Sequence, residues 1–149
     1  MFRVRSAALV VTLLLTATAC DERLRDVAGP TPDLQPTLSS IQRDIFNRRD
    51  SSGRLACTEC HTPAARNFVG GLALTEGLAF QELVGQASRN KAGVVRVIPG
   101  DPEASYLIHK LEGRSTIAGE RMPRGIGPFL TAGQISIIRR WIELGAKND

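Results

Sequence analysis

The chain has 149 residues, the length of one domain, and an ordinary apolar share of 42%. Its formal net charge is +4, but Arg3 and Arg5 belong to the leader described below; without them 17 basic residues face 15 acidic ones, a balance that gives no argument for nucleic acid. One Trp, one Tyr and five Phe exclude a large aromatic core, so a bound flat apolar group would supply missing volume. Three cysteines are too few for a disulfide framework.

Residues 1–19 read as an export signal. Arg3 and Arg5 form a basic start, and Ala7 to Ala19 is apolar apart from Thr12, Thr16 and Thr18. That run suits a signal peptide and is too short to span a bilayer. It ends in Ala17-Thr18-Ala19-Cys20, small residues before a Cys, which resembles the lipobox of bacterial lipoproteins, with Ala17 where a larger aliphatic residue is usual. Cys20 is therefore expected to carry lipid. The alternative is an ordinary cut near Ala19, which leaves a lone thiol in an oxidising compartment, where thiols are a liability. Residues 20–38 hold charges, then Gly29, Pro30, Pro32 and Pro36, and read as a tether. Leu24, Val27 and Leu34 leave open an arm packed on the domain.

The domain is expected over residues 39–149. Ser39-Ser40-Ile41-Gln42, with Leu38 before it, has a capping-box pattern, and Leu38, Ile41 and Ile45 make a stripe with Phe46 on its flank. This predicts a helix from about Ser40 to Arg49, broken at Asp50-Ser51-Ser52-Gly53. Past residue 61 come a turn, an irregular apolar stretch from Phe68 to Leu74 with two glycines, and a short helix capped by Thr75 and stopped by Gly85. Val94 to Ile98 reads equally as a short strand or an extended loop. Asp101 and Pro102 read as N-cap and first residue of a helix that Gly113 stops. A loop from Gly119 to Gly127 follows. Thr131 and Gln134 then form a second capping box with Leu130 and Ile135 as its staple. On the helix they start, Ile135, Ile137, Ile138, Trp141, Ile142 and Leu144 fill one half of the wheel.

Chemistry concentrates at Cys57-Thr58-Glu59-Cys60-His61, a complete C-x-x-C-H. Two thiols three residues apart share one face of a helical turn. They can meet two vinyl carbons on one porphyrin edge and form two thioethers, while His61 points its imidazole at the iron. A structural zinc site wants four ligands, usually two such pairs; here no second pair exists, and His109 is the one other imidazole. With Cys20 assigned to lipid, the cysteines are all used, and export suits a haem that is attached outside the cytoplasm. Met and His are the usual sixth ligands. Met122 is the one Met left after the leader is removed, and it sits in a Pro- and Gly-rich loop rather than on a helix stripe. It is the preferred distal ligand, over a gap-filling role. His109 is placed on the solvated face of its helix, and an open sixth position would make the iron reactive. Arg121 and Arg124 flank Met122 and read either as a steering patch for an acidic partner or as a solvated face.

Taken together, the chain resembles bacterial mono-haem cytochromes c of class I-like architecture, and is most similar to the planctomycete-type cytochrome c domain. The residues that carry the likeness are Ile45-Phe46, Cys57 to His61, Gly71 to Leu74, Leu83 to Gly85, Val97 to Leu107, Lys110-Leu111, Arg121-Met122-Pro123 and Ile138 to Ala146. The resemblance implies an all-α cytochrome c fold, three to five short helices wrapped around one covalently bound haem, with the N- and C-terminal helices packed together. It implies His61 as proximal and Met122 as distal iron ligand. The stretch Arg48 to Ala56 departs from it, being longer and more polar. The expected function is electron transfer, not catalysis, by an exported, lipid-anchored periplasmic protein that meets redox partners transiently. The alternatives are a haem-bearing subunit of a larger membrane redox complex, or an open-site haem sensor or enzyme in which Met122 does not bind the iron.

Overall fold

The structure is a computed structural model that describes residues 33–64, 70–125 and 127–149. The signal, Cys20 and most of the tether lie outside the described residues, as do Phe68 and Val69 of the apolar stretch. About a third of the described residues are helical. No helix among them is long and apolar enough to cross a membrane.

The first helix, α1, is an α-turn over Leu38–Ile41 that widens into a π-helical turn over Gln42–Phe46. Its cap is Thr37, whose hydroxyl accepts from Ser40 N at 3.2 Å. That is two residues before the expected capping box, because the free N–H groups of this end are taken elsewhere. Leu38 N donates to Asp149 Oδ1 and Ser39 N to the Asp149 main-chain oxygen, both at 2.9 Å. These bonds satisfy donors that a helix start always leaves over. The last residues of the chain thus close the first helix. The wide turn, in which Asn47 N reaches back to Gln42 O at 2.9 Å, buries Ile45 and Phe46 together. Packing starts before the expected boundary at Ser39. Leu34 lies against the core and Gln35 N donates to Ser40 Oγ, so this end of the tether is part of the domain.

Helix α2 spans Ala79–Leu83 and buries Ala79 and Leu83. The chain then folds back on itself through a turn at residues 89–93, with isolated bridges from Val84 to Val97 and from Ala87 to Val95, and a further one from Ile98 to Asp101. Of the two readings of Val94 to Ile98, the extended loop is the one found.

Helix α3 spans Tyr106–Glu112 and starts four residues later than Pro102. The reason is Ser105. Its hydroxyl, wholly buried, donates to Asp101 O at 2.7 Å and accepts from Ile98 N at 2.9 Å, while Asp101 Oδ1 accepts from Ala104 N. Residues 101–104 therefore close a turn instead of opening the helix. Gly113 ends α3 in the left-handed region at φ 73°, as its sequence position predicts.

Helix α4 spans Ala132–Glu143 with the expected capping box: Thr131 Oγ1 accepts from Gln134 N, and Gln134 Oε1 from Thr131 N. Ile135, Ile138, Trp141 and Ile142 are buried and Ile137 half-buried. Leu144 is not on this face; it is the C-cap, 46% exposed, because the chain leaves the helical path there. α4 packs on both α1 and α3, and Gly100 N donates to Ile142 O at 2.8 Å. One core joins Ile41, Ile45 and Phe46 of α1 to Ile108 and Leu111 of α3 and to Ile138, Trp141 and Ile142 of α4.

Candidate functional site

The C-x-x-C-H segment folds as one turn. A 3₁₀ turn covers Cys57–Glu59, Cys60 caps it, and both Cys60 N and His61 N donate back to Cys57 O, at 3.2 and 2.8 Å. Cys57, Cys60 and His61 are thus carried by one turn of backbone. The turn is held at its start by Glu59, whose Oε1 accepts from Ala56 N at 2.8 Å and whose other oxygen pairs with Arg49. Those two bonds hold the Glu59 carboxyl below the usual carboxylate range, Arg49 contributing most. On the far side, Leu74 N donates to His61 O at 2.9 Å, which fixes the peptide of His61.

The turn is docked on the end of α1. A helix end leaves carbonyls without partners, and here the motif supplies them. Thr58 Oγ1 donates to Phe46 O at 3.2 Å, and the Cys57 thiol faces Ile45 O at 3.9 Å. Arg54, a residue whose role the sequence did not disclose, donates from Nη1 to Ile45 O and Leu55 O and from Nη2 to Arg48 O. The two thiols differ as a result. Cys57 packs against the core and burial pushes its thiol up to about 11, opposed by the charge of Arg54. Cys60 is exposed. The turn lies at the boundary between core and solvent, a setting that can grip one edge of a flat apolar group while leaving another edge in water. His61 is half-buried and its Nδ1 is inside.

Met122 reaches the same core from the other end of the chain. It is half-buried and packs on the cluster that Cys57 borders. Its loop is bound to α3: Met122 N donates to Lys110 O at 2.9 Å, and Lys110 Nζ donates to Ala118 O at 3.0 Å and to Glu120 O. Ala118 N donates to the Tyr106 hydroxyl at 2.8 Å. Arg121 does not reach outward as a steering charge. Its Nε donates to Leu111 O at 2.8 Å, and its guanidinium lies 4.0 Å from the centre of the Phe129 ring. Arg124 is exposed and pairs with Glu120.

His109 is not on a solvated face. Its Nε2 bonds Glu103 O at 2.6 Å, its ring meets Tyr106 edge-on, and its Nδ1 is buried, so it serves the turn before α3. Among the described residues no three or more His, Cys, Asp and Glu side chains gather as a metal cluster. A concavity of about 470 Å³ lies elsewhere, between α1 and residues 76–80, lined by Gln42, Arg43, Asn47, Glu76, Phe80 and Asp149. No residue of the motif borders it. Residues 65–69, which begin four positions after His61, are outside the described part of the chain.

No family model, no curated protein and no solved structure matches the chain.

Proposed function

We propose that the protein is an exported electron carrier, a c-type cytochrome with one haem bound through thioethers at Cys57 and Cys60. His61 and Met122 are its axial ligands, and lipid on Cys20 holds it at the periplasmic side of a membrane. The observation that carries this reading is the C-x-x-C-H sequence closed into one turn against the core, with a half-buried and an exposed thiol. The donor set fits: two thiols, an imidazole, and a thioether side chain from a loop bound to the same core. A haem so held supplies a one-electron couple, and ligation by His and Met raises its potential relative to nitrogen ligands alone. The protein's own part is to fix the attachment turn through α1, to keep Met122 in place through Lys110 and Arg121, and to leave Cys60 and its surroundings at the surface for brief contact with a redox partner.

The test is direct. Protein expressed with its leader in a host that attaches haem c is expected to stain for haem on a denaturing gel, and Cys57→Ala/Cys60→Ala to lose the stain. The ferric wild type is expected to be low-spin with a long-wavelength Met-to-iron band that Met122→Ala abolishes. A high-spin spectrum that changes on addition of CO or peroxide would overturn electron transfer in favour of an open-site sensor or enzyme.

A further inference from the structure

Arg54 occupies a position where a charge is costly. It is 1% exposed, three residues before Cys57, in the polar loop between α1 and the attachment turn. A buried guanidinium persists only when it is paired and its N–H groups are bonded. Here Nε donates to Asp50 Oδ2 at 2.9 Å, and the remaining nitrogens take the main-chain oxygens of Ile45, Leu55 and Arg48 at 3.4, 3.2 and 3.2 Å.

The pair is lopsided. The Asp50 carboxylate is at the rim and collects donors from its own loop: Ser52 N at 3.0 Å, the Ser52 hydroxyl, and Arg54 N at 3.2 Å. The guanidinium faces inward and shares its Ile45 acceptor with the Cys57 thiol. The dipole of the pair therefore points its positive end at the attachment turn and its negative end at water. A charge on the dry side is screened little, and one at the rim is screened more.

We infer that the Arg54–Asp50 pair sets the reduction potential of the group bound at Cys57: Arg54 raises it by disfavouring the more positive oxidised state, and Asp50 opposes that effect from the rim. This rests on the haem reading above. A role confined to closing the loop predicts something different. Loss of either partner would then loosen the wall beside Cys57, admit water and lower the potential in both cases, since exposure is itself a lever on the potential. The charge role predicts opposite signs.

The experiment is a mediator titration of full-length holoprotein at neutral pH, after a haem stain of the denatured wild type. Asp50→Asn keeps the shape and an acceptor oxygen; it is expected to raise the potential, shifting the reduced-to-oxidised ratio about threefold, or about 30 mV for one electron. Arg54→Met is expected to lower it, by about tenfold in that ratio or about 59 mV. Shifts of the same sign, or none, overturn the inference. If Arg54→Met does not accumulate as holoprotein, Asp50→Asn decides alone, and an unchanged or lowered potential overturns it. A wild type without covalent haem removes the haem reading and this inference together; a stained wild type with shifts of one sign removes the inference only.

Discussion

The two halves of the candidate site are held in opposite ways. The Cys57–His61 turn is fastened from within: Thr58, Cys57 and the buried Arg54 take the last carbonyls of α1, so the turn and the helix end complete each other. The Met122 loop is fastened from outside, by the half-exposed side chains of Lys110 and Arg121 reaching carbonyls and an aromatic ring. Both halves border one core, but the cost of opening them differs. Removing a buried charged partner leaves several polar groups dry and unpaired, whereas removing a surface lysine lets water replace it. The Cys57–His61 turn is thus expected to stay put and the Met122 loop to open first.

The largest effect should come from breaking the inner fastening. Arg54→Met strands the carbonyls of Ile45, Arg48 and Leu55 and leaves Asp50 without its cation. A loss of about 3 kcal/mol is expected from denaturant unfolding, within the range for a broken buried ion pair. A loss below 1 kcal/mol, by the same measurement, would mean that the turn does not depend on Arg54. The outer fastening should behave differently. Lys110→Met removes two bonds to the Met122 loop and is expected to cost only about 1 kcal/mol of global stability. Its spectral effect should be the greater one, with a weakened Met-to-iron band and a rise in CO binding by the ferrous protein. If instead the band is unchanged while stability falls, Lys110 supports α3 and not the ligand loop.

The contrast also explains what the sequence could and could not disclose. Helix α4 was legible to the residue at its start, because the Thr131–Gln134 box and the half-apolar wheel express local rules that tertiary contacts here reinforce. Leu144 broke the pattern only where the helix ended. The start of α3 was misplaced because an Asp-Pro pair reads as a cap unless one knows that the Ser105 hydroxyl is spent on Ile98 and Asp101, a contact seven residues long. The start of α1 was misplaced for the same kind of reason: Leu38 N, in its first turn, is taken by Asp149, 111 residues away. Within the candidate site, spacing singles out Cys57, Cys60 and His61, and Met122 stands out as the one Met left after the leader; the structure adds that one turn carries the first three and that Cys57 and Met122 border one core. Arg54 was not, since a polar stretch with Arg48, Arg49, Asp50 and Arg54 reads as solvated, and burial of one arginine among them leaves no trace in composition. The one available signal was the four-residue spacing of Asp50 and Arg54.

The smallest expected effect separates the two halves by acid. Glu59 closes the attachment turn through Ala56 N and Arg49, and those bonds, Arg49 first, hold its carboxyl below the usual value. Its folded value is thus lower than its unfolded one, so the stability it contributes is full above the unfolded value, about 4.3, and is lost as pH falls through the folded value. The Met122 loop is held by main-chain oxygens and an aromatic ring, acceptors that do not titrate in this range. Acidification of the holoprotein below about pH 4 should therefore raise hydrogen exchange at Ala56 N before it raises exchange at Met122 N. Glu59→Gln, which keeps an acceptor for Ala56 N but not the charge opposite Arg49, should remove most of that pH dependence at Ala56. Glu59 is exposed, so salt should blunt the effect as well. If Ala56 stays protected through this range in the wild type, or opens equally in Glu59→Gln, the turn is held by α1 alone and the carboxylate at its start is a bystander.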